Sequence, residues 1–359
     1  MGAENSTLCN ADYRVPDMPT GNKAIMLVKR EEIAKWLEET NLYDENGHLK
    51  NTMNIITFDD GSVYKGELLN GSKSGKGIFY FLNQDIYAGQ WKNDKFNGYG
   101  VYAFASGERY EGELRDGLKC GRGVYYYKNG DKYEGDWADD KKNGIGMCTY
   151  LNKEKYHGEW RDGEKHGKGA YSFKNGDKYF GEWREGKRCG QGVMVYVDGC
   201  RYEGGWDNDV YHGEGTMHFC NGEVNTGVWG DGKQIGEGTC VFPNGDRYVG
   251  QFKDNKLHGL GTMYYVDGDK YTGEWMDGEK NGRGILEFAN GDHFDGYWFE
   301  GKRHGKGIYI WIDGKRYEGD WVEDQMRGRG VLTMANGTIV DGFFKDNEFL
   351  QKESSKLYM

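Results

Sequence analysis

YHGEWRDGEKHGKGAYSFKNGDK occupies positions 156–178, and the same pattern returns with a constant period of 23 along most of the chain. Its opening phrase, Tyr-x-Gly-x-Trp, alternates rings and glycine with polar residues, which is the period of a β-strand with two different faces. Asn175-Gly176 then supplies a strong hairpin-turn signal. Each repeat unit is therefore predicted to be a β-hairpin.

The step between units never varies. The phrase begins at Tyr64, Tyr87, Tyr110, Tyr133, Tyr156, Tyr179, Tyr202, Asn225, Tyr248, Tyr271, Phe294 and Tyr317. A thirteenth, degenerate copy begins at Val340, and the segment around Phe58 reads as a half-repeat before the first full unit. The predicted fold is all-β, an elongated single-layer twisted antiparallel β-meander of tandem hairpins.

Glycines recur at fixed places in each unit, whose positions are counted here from the first ring as position 0. In the quoted copy Gly167 and Gly169 stand at positions 11 and 13, where missing side chains are predicted to leave room for Tyr and Trp rings. Position 7, here Gly163, is Gly, Asp or Asn in every copy, as a tight turn with φ > 0 requires. A further aromatic, Phe173 in this copy, follows at position 17 in most units.

Composition narrows the class of protein. The chain has 60 Gly, 27 Tyr, 16 Phe, 11 Trp and only 3 Pro among 359 residues, and its mean hydropathy is −0.89. No apolar run is long enough for a transmembrane helix. A net charge of −11 argues against a nucleic-acid binder. The 7 cysteines include no CxxC pair and no histidine at ligand spacing, so neither a metal site nor a cofactor is predicted.

The pattern Tyr-x-Gly-x-Trp-x-x-Gly-x-x-x-Gly-x-Gly resembles the MORN repeat (membrane occupation and recognition nexus), and the resemblance covers residues 64–344. It implies a β-meander with a grooved aromatic face. The chain is most similar to wall-to-wall MORN proteins that scaffold the cell cortex and cytoskeleton in protists. Members that carry catalysis add a separate domain, and residues 1–51 and 349–359 are too few for one. No catalytic residues and no enzymatic activity are predicted.

The N-terminal segment matches a lipidation signal. Gly2 and Ser6 fit the N-myristoylation pattern, and Cys9 is a nearby palmitoylation candidate. Two acyl chains anchor a protein stably, whereas one binds only marginally. We therefore expect residues 1–23 to be an acylated flexible segment on the cytoplasmic face of a plasma or cortical membrane.

The remaining boundaries follow the periodicity. Residues 24–51 change to a helical pattern and are predicted to cap the first β edge. The repeat array is predicted over residues 52–348, and residues 349–359 form a C-terminal tail.

The aromatic face is the predicted binding surface, because a single-layer sheet has no second layer to cover it. A partner protein, such as a helix laid in the groove, or a second copy of this chain would bury it. The residues assigned to partner binding are Tyr133, Trp137, Tyr156, Trp160, Tyr179, Trp183, Tyr202 and Trp206.

Basic pairs after the first turn of several units suggest a different contact. A row of basic turns along one edge could meet anionic lipid headgroups. The candidate residues are Lys141, Lys142, Lys187, Arg188, Lys302 and Arg303. Three hypotheses result: a membrane-tethered scaffold for partner proteins, which we favour, a soluble cytoskeletal or axonemal structural protein, and a phospholipid-binding module.

Overall fold

A computed structural model describes residues 53–350, and all regular secondary structure in this range is β-strand. The chain forms two compact units, one ending at Arg188 and the other beginning at Cys189. The predicted helical cap, residues 24–51, lies outside the described residues. Residues 53–350 also include no helix long and apolar enough to cross a membrane.

The first unit contains strands β1 to β12. Their bounds are β1 Asn54–Thr57, β2 Val63–Leu69, β3 Ser72–Tyr80, β4 Ile86–Lys92, β5 Lys95–Ala103, β6 Arg109–Arg115, β7 Leu118–Tyr126, β8 Lys132–Ala138, β9 Lys141–Thr149, β10 Lys155–Arg161, β11 Glu164–Ser172 and β12 Lys178–Arg184. Each strand from β1 to β11 pairs antiparallel with the strand that follows it in sequence.

The second unit continues the same order. The boundary falls within β13 Lys187–Val195, most of which belongs to the second unit. The further strands are β14 Arg201–Asp207, β15 Val210–His218, β16 Val224–Gly230, β17 Lys233–Val241, β18 Arg247–Lys253, β19 Lys256–Tyr264, β20 Lys270–Met276, β21 Glu279–Glu287, β22 His293–Phe299, β23 Lys302–Ile310, β24 Arg316–Val322, β25 Gln325–Thr333, β26 Ile339–Lys345 and β27 Glu348–Leu350. Sequence neighbours again pair antiparallel. The prediction of an all-β meander of hairpins is confirmed.

The two turns of a repeat have different geometry. Asp162 and Gly163 have φ of 51° and 92°, so both central residues of the first turn adopt the left-handed conformation of a type I′ hairpin. At the second turn, Gly176 has a φ of 99°, and Asn175 Oδ1 accepts the backbone N–H of Asp177. The predicted requirement for φ > 0 at position 7 is confirmed here.

The glycine at position 13 leaves room for a ring, as predicted. A Cβ added to Gly330 would lie 2.5 Å from the hydroxyl oxygen and 2.6 Å from Cζ of Tyr317, well inside van der Waals contact. Gly319, on the neighbouring strand, is blocked by the same ring, since its Cβ would lie 2.6 Å from Tyr317 Cζ. The first ring of the repeat therefore lies flat across two facing glycines, here Gly319 and Gly330.

The glycine at position 11 serves another purpose, so the prediction that it also makes room for a ring is wrong. The β10–β11 register shifts after Gly158, and Gly167 has a φ of 53° at this bulge. A Cβ on Gly167 would meet the Glu159 carboxylate, not a ring. That carboxylate accepts the N–H of Lys168 at 2.8 Å, which satisfies a donor displaced from the ladder by the bulge.

Candidate interaction surface

The first ring of each repeat, called here the anchor, lies at the bottom of one face of the sheet, which we call the ring face. Tyr156 is fully buried, and its hydroxyl donates to the backbone carbonyl of Glu159 at 2.8 Å. Trp160 donates its indole N–H to the Gly146 carbonyl at 3.0 Å. The ring of Tyr156 contacts Trp160 and Trp183 edge to face, with centroids 5.1 and 5.3 Å apart.

This packing removes the anchors and tryptophans from solvent. All eight residues assigned to partner binding are buried: Tyr133, Trp137, Tyr156, Trp160, Tyr179, Trp183, Tyr202 and Trp206. The assignment of these residues to partner binding remains a prediction, and their burial places them beneath the outer surface of the ring face. They form the core of the ring face, and other side chains form its accessible layer.

The accessible layer includes a row of aromatics at position 17. These rings are half-buried. Where position 15 is also aromatic, the two rings pack together, as in Phe173 on Tyr171 and Trp311 on Tyr309, with centroids 4.6 Å apart in both pairs. The half-buried members are Phe81, Phe104, Tyr127, Phe173, Tyr196, Phe242, Tyr265, Phe288 and Trp311. The sequence pattern at position 17 could have identified this row as the reachable part of the face.

Cations at position 9 form a second row on the ring face. Lys165 Nζ lies 4.4 Å from the ring centroid of Trp183 and 4.7 Å from that of Tyr171, and the Arg303 guanidinium lies 4.6 Å from Trp321. These distances are within the range of cation–π attraction. The other cations that stack in the same way are Lys73, Lys119, Lys142, Arg188 and Lys280.

The basic pairs are therefore not one edge row, and that prediction is wrong. Adjacent residues of a strand point to opposite faces, so Lys142, Arg188 and Arg303 lie against the rings. Their neighbours, Lys141, Lys187 and Lys302, are exposed. Only this second set of three is accessible as predicted for lipid contact.

Acidic residues line the other end of the strands, beside the Asn-Gly turns. Asp292 is buried and accepts the Tyr309 hydroxyl at 2.7 Å and the N–H of Ile312 at 2.9 Å. The Tyr309 hydrogen bond is the main cause that holds the pKa of the Asp292 carboxyl below its usual range. Glu154 accepts the hydroxyl of Tyr171 in the same way.

The regular ring ladder changes at Asn225, which stands where other repeats have Tyr or Phe. Gln234, at position 9, is fully buried, and its amide takes the place of the missing ring: a Cβ on Gly238 would lie 2.6 Å from Gln234 Nε2. Cys240, which pairs with Asn225, stands where several other repeats have a ring. Three small or polar side chains thus stand where larger groups pack elsewhere.

A cavity of about 510 Å³ opens at this place in the second unit. Its wall includes Asn225, Phe252, Tyr265, Trp275 and Lys280. Burial is the main cause that lowers the pKa of Lys280, whose ammonium lies 4.8 Å from the ring of Trp298. Oδ1 of Asn225 and Oε1 of Gln234 are buried and have no hydrogen-bond partner within residues 53–350.

Gly2 and Cys9 lie outside the described residues, so the lipidation prediction remains a prediction.

Nothing in the repeat periodicity pointed to the cavity, although the replacement of the anchor ring by Asn225 was visible in the sequence.

The geometry defines a class of protein, a tandem array of β-hairpins with one ring-bearing face. The family model for the MORN repeat matches residues 64–86, 87–109, 110–132, 133–153, 156–178, 179–201, 202–224, 226–247, 248–270, 271–293, 294–316 and 317–339. The chain belongs to the MORN-repeat family. An array of this non-enzymatic repeat indicates a repeat-scaffold protein.

Relatives of known name share only parts of the chain. Alsin from Rattus norvegicus is 39% identical over 57 residues, which is 14% of this chain and 4% of Alsin, so the chain spans a small part of that protein's length.

Two solved structures show a weak likeness to the chain. The SAS-4 TCP domain of Drosophila melanogaster, in complex with a proline-rich motif of Ana2, has 13% identity and a TM-score of 0.29, over 49% of this chain and 90% of that one. The TCP10 domain of Danio rerio CPAP, in complex with a STIL peptide, has 10% identity and a TM-score of 0.19, over 81% and 99%.

Proposed function

We propose that this protein is a membrane-tethered scaffold that binds partner proteins through the ring face of its MORN array. The cavity beside Asn225 carries the proposal. A buried carbonyl oxygen without a hydrogen bond costs about 1–3 kcal/mol, and Asn225 Oδ1 is in this state at the wall of an open cavity. A partner segment that enters the cavity and turns the Asn225 amide toward itself would supply the missing donor and recover this cost on binding.

The cavity wall defines the chemistry of the partner. Phe252, Tyr265 and Trp275 offer apolar contact, and Lys280 offers a cation whose desolvation favours pairing with a carboxylate. The occupant we propose is an apolar partner segment, such as one face of an amphipathic helix, that carries an acidic side chain and a hydrogen-bond donor.

Restoring the repeat pattern tests this docking site. The double variant Asn225→Tyr with Gln234→Lys recreates the pair found at Tyr271 and Lys280. It removes the Asn225 oxygen from the cavity wall and returns a ring to the place of the Gln234 amide, so we expect the fold to be retained. Thr226→Tyr is the matched control, because Thr226 is exposed and adjacent to Asn225 on the opposite face. We expect the double variant to lose specific protein partners in affinity purification, and purified partners to bind only the wild-type chain and the control in calorimetry.

Partners that bind the double variant as well as they bind the wild-type chain would show that docking does not use the cavity. Sedimentation of the purified chain tests the alternative occupant, a second copy: dimerisation lost in the double variant would assign the cavity to self-association.

The tether is proposed at Gly2 and Cys9, which would hold the array on the cytoplasmic face of a membrane. Gly2→Ala removes the acceptor for the first acyl chain, and Cys9→Ser removes the acceptor for the second. We expect Gly2→Ala to move the full chain into the soluble fraction, and the intact mass of the N-terminal peptide to show the acyl group. Unchanged membrane association of Gly2→Ala would overturn the tether at Gly2. An unmodified N-terminal peptide would favour the soluble structural alternative.

The phospholipid-binding alternative depends on the exposed Lys141, Lys187 and Lys302. Flotation of the Gly2→Ala full chain with vesicles that contain anionic lipid tests it. Binding that falls with salt and is lost when the three lysines are changed to glutamine would support this alternative.

A further inference from the structure

The Asn-Gly turns of successive repeats are tied by a recurrent contact. In these turns, the residue two positions before an anchor uses its side chain to accept a backbone N–H from the equivalent turn of the next repeat. Asp292 accepts from Ile312 at 2.9 Å, and Asp131 accepts from Leu151 at 2.8 Å. The repeat therefore brings one particular side chain of each turn next to one particular residue of the following turn.

In the second unit both of these positions are cysteine. Cys200 takes the place of the usual carboxylate, and its Sγ accepts the N–H of Cys220 at 3.1 Å. Cys200 is half-buried and Cys220 is exposed, and both thiols are free. The two thiols belong to successive turns and are thus held together by the tie that elsewhere uses an aspartate.

A carboxylate side chain, that of Asp198, lies in the same turn as Cys200. Other turns place asparagine two residues before the tie, as in Asn175, whose amide donates to Asp177 at 2.8 Å. This turn has Asp198, which accepts the N–H of Cys200 at 2.9 Å and has no side-chain N–H to donate. One carboxylate oxygen of Asp198 and the two Sγ atoms all lie within 4.8 Å of one another.

We propose that Asp198, Cys200 and Cys220 form a Zn²⁺ site. Thiolate sulfur selects zinc over Mg²⁺ and Ca²⁺, and zinc accepts sulfur and carboxylate oxygen together in a tetrahedral arrangement. Two sulfurs on one zinc ion lie about 3.8 Å apart for Zn–S bonds of about 2.3 Å, which side-chain rotation can reach from the observed spacing. Water completes the fourth position, because the turn is open to solvent.

Zinc binding would form two Zn–S bonds, one Zn–O bond to Asp198 and one Zn–O bond to water, and it would release the two thiol protons to solvent. No oxidant or reductant takes part. The ion would join two successive hairpin turns more firmly than the N–H···S hydrogen bond between Cys220 and Cys200.

Cobalt(II) titration of the reduced full chain tests the site, because Co²⁺ takes zinc's place and shows an absorption band when thiolates bind it. We expect a thiolate-to-cobalt band that saturates at one ion per chain and disappears when Zn²⁺ is added. Cys200→Ser and Cys220→Ser should each lose most of the band, and Asp198→Asn should keep it but raise the apparent Kd. Cys120→Ser, in the first unit, is the control and should leave the titration unchanged.

Circular dichroism of each variant checks that the β-sheet is retained. The site is refuted if the reduced wild-type chain gives no thiolate band, or if the band survives in the Cys200→Ser, Cys220→Ser double variant. These outcomes are independent of partner docking at Asn225.

Discussion

Each anchor tyrosine donates its hydroxyl to a backbone carbonyl further along its own strand. Tyr271 donates to the Glu274 carbonyl at 3.0 Å, and Tyr317 donates to that of Asp320 at the same distance. The ring lies across two glycines, so burial and hydrogen bonding depend on a single rotamer. Phe294 occupies the same place without a hydroxyl and is also fully buried.

Phe294 and Tyr271 offer a matched test of this hydrogen bond. We expect Phe294→Tyr to raise the free energy of unfolding by about 1 kcal/mol and Tyr271→Phe to lower it by a similar amount, because a net intramolecular hydrogen bond contributes about that much. The urea midpoint, followed by tryptophan fluorescence, measures both. A loss of stability in Phe294→Tyr would mean that the anchor hydroxyl does not fit in that repeat.

Two glycines separate the effect of a close approach from that of backbone conformation. Gly330→Ala places a methyl group against the Tyr317 ring and should cost about 3 kcal/mol through overpacking. Gly314→Ala meets open space but has a φ of 87°, so it should cost about 1 kcal/mol. Equal urea midpoints for the two variants would contradict the steric role of the position-13 glycine.

At the scale of the hairpin, the carboxylates beside the Asn-Gly turns join one repeat to the next. Asp292 receives a hydroxyl from Tyr309 and an N–H from Ile312, both on the following repeat. Lys315 stands at the equivalent position one repeat later and has no acceptor atom in its side chain. Neighbouring turns of the same molecule therefore differ in how firmly they are tied.

Asp292→Lys should make the turn at Asp292 resemble the turn at Lys315. We expect the amide of Ile312 to exchange with solvent deuterium faster in the variant, because its N–H loses the carboxylate acceptor. In the wild-type chain, the amide of Ala335, which stands to Lys315 as Ile312 stands to Asp292, should already exchange faster than that of Ile312. Mass spectrometry of the two turn peptides measures this difference, and equal rates would contradict the proposed tie.

At the scale of the whole molecule, stability comes from many equivalent contacts between sequence neighbours. Within each of the two units the strands pair with their sequence neighbours, so each unit is stabilised by a sum of local interfaces. The buried tyrosines are distributed along both units, and burial raises their pKa, to about 12 for Tyr317. Any condition that ionises them acts on every interface.

Alkaline pH is such a condition. A tyrosine in the unfolded chain has a pKa of about 10, so between pH 10 and 12 the unfolded state releases protons that the folded state retains. The free energy of unfolding is therefore unaffected by tyrosine ionisation below about pH 10, and it falls as pH rises toward 12. Circular dichroism and tyrosinate absorbance should change together in this range. Ionisation of the buried tyrosines without loss of the β-sheet would contradict the prediction.

Periodicity alone was enough to predict the hairpins, because the alternation of rings and glycine repeats without an insertion. It also predicted the φ > 0 turns, whose residue types are restricted by local sterics. It did not give the complete burial of Tyr156 and Trp160, since burial depends on rings contributed by neighbouring strands. It failed as well for Lys142 and Arg188, which were grouped with adjacent lysines although alternation places them on the opposite face.

The sequence by itself determined the fold class, the length of the repeat and the position of every turn, because these depend on residues close together in the chain. Tertiary structure decided which rings are buried. It also placed the Gln234 amide where the anchor ring lies in other repeats. It also brought Cys200 and Cys220 together from successive turns. Such contacts cross from one strand or turn to another, and the pairing register that creates them is set by the folded sheet.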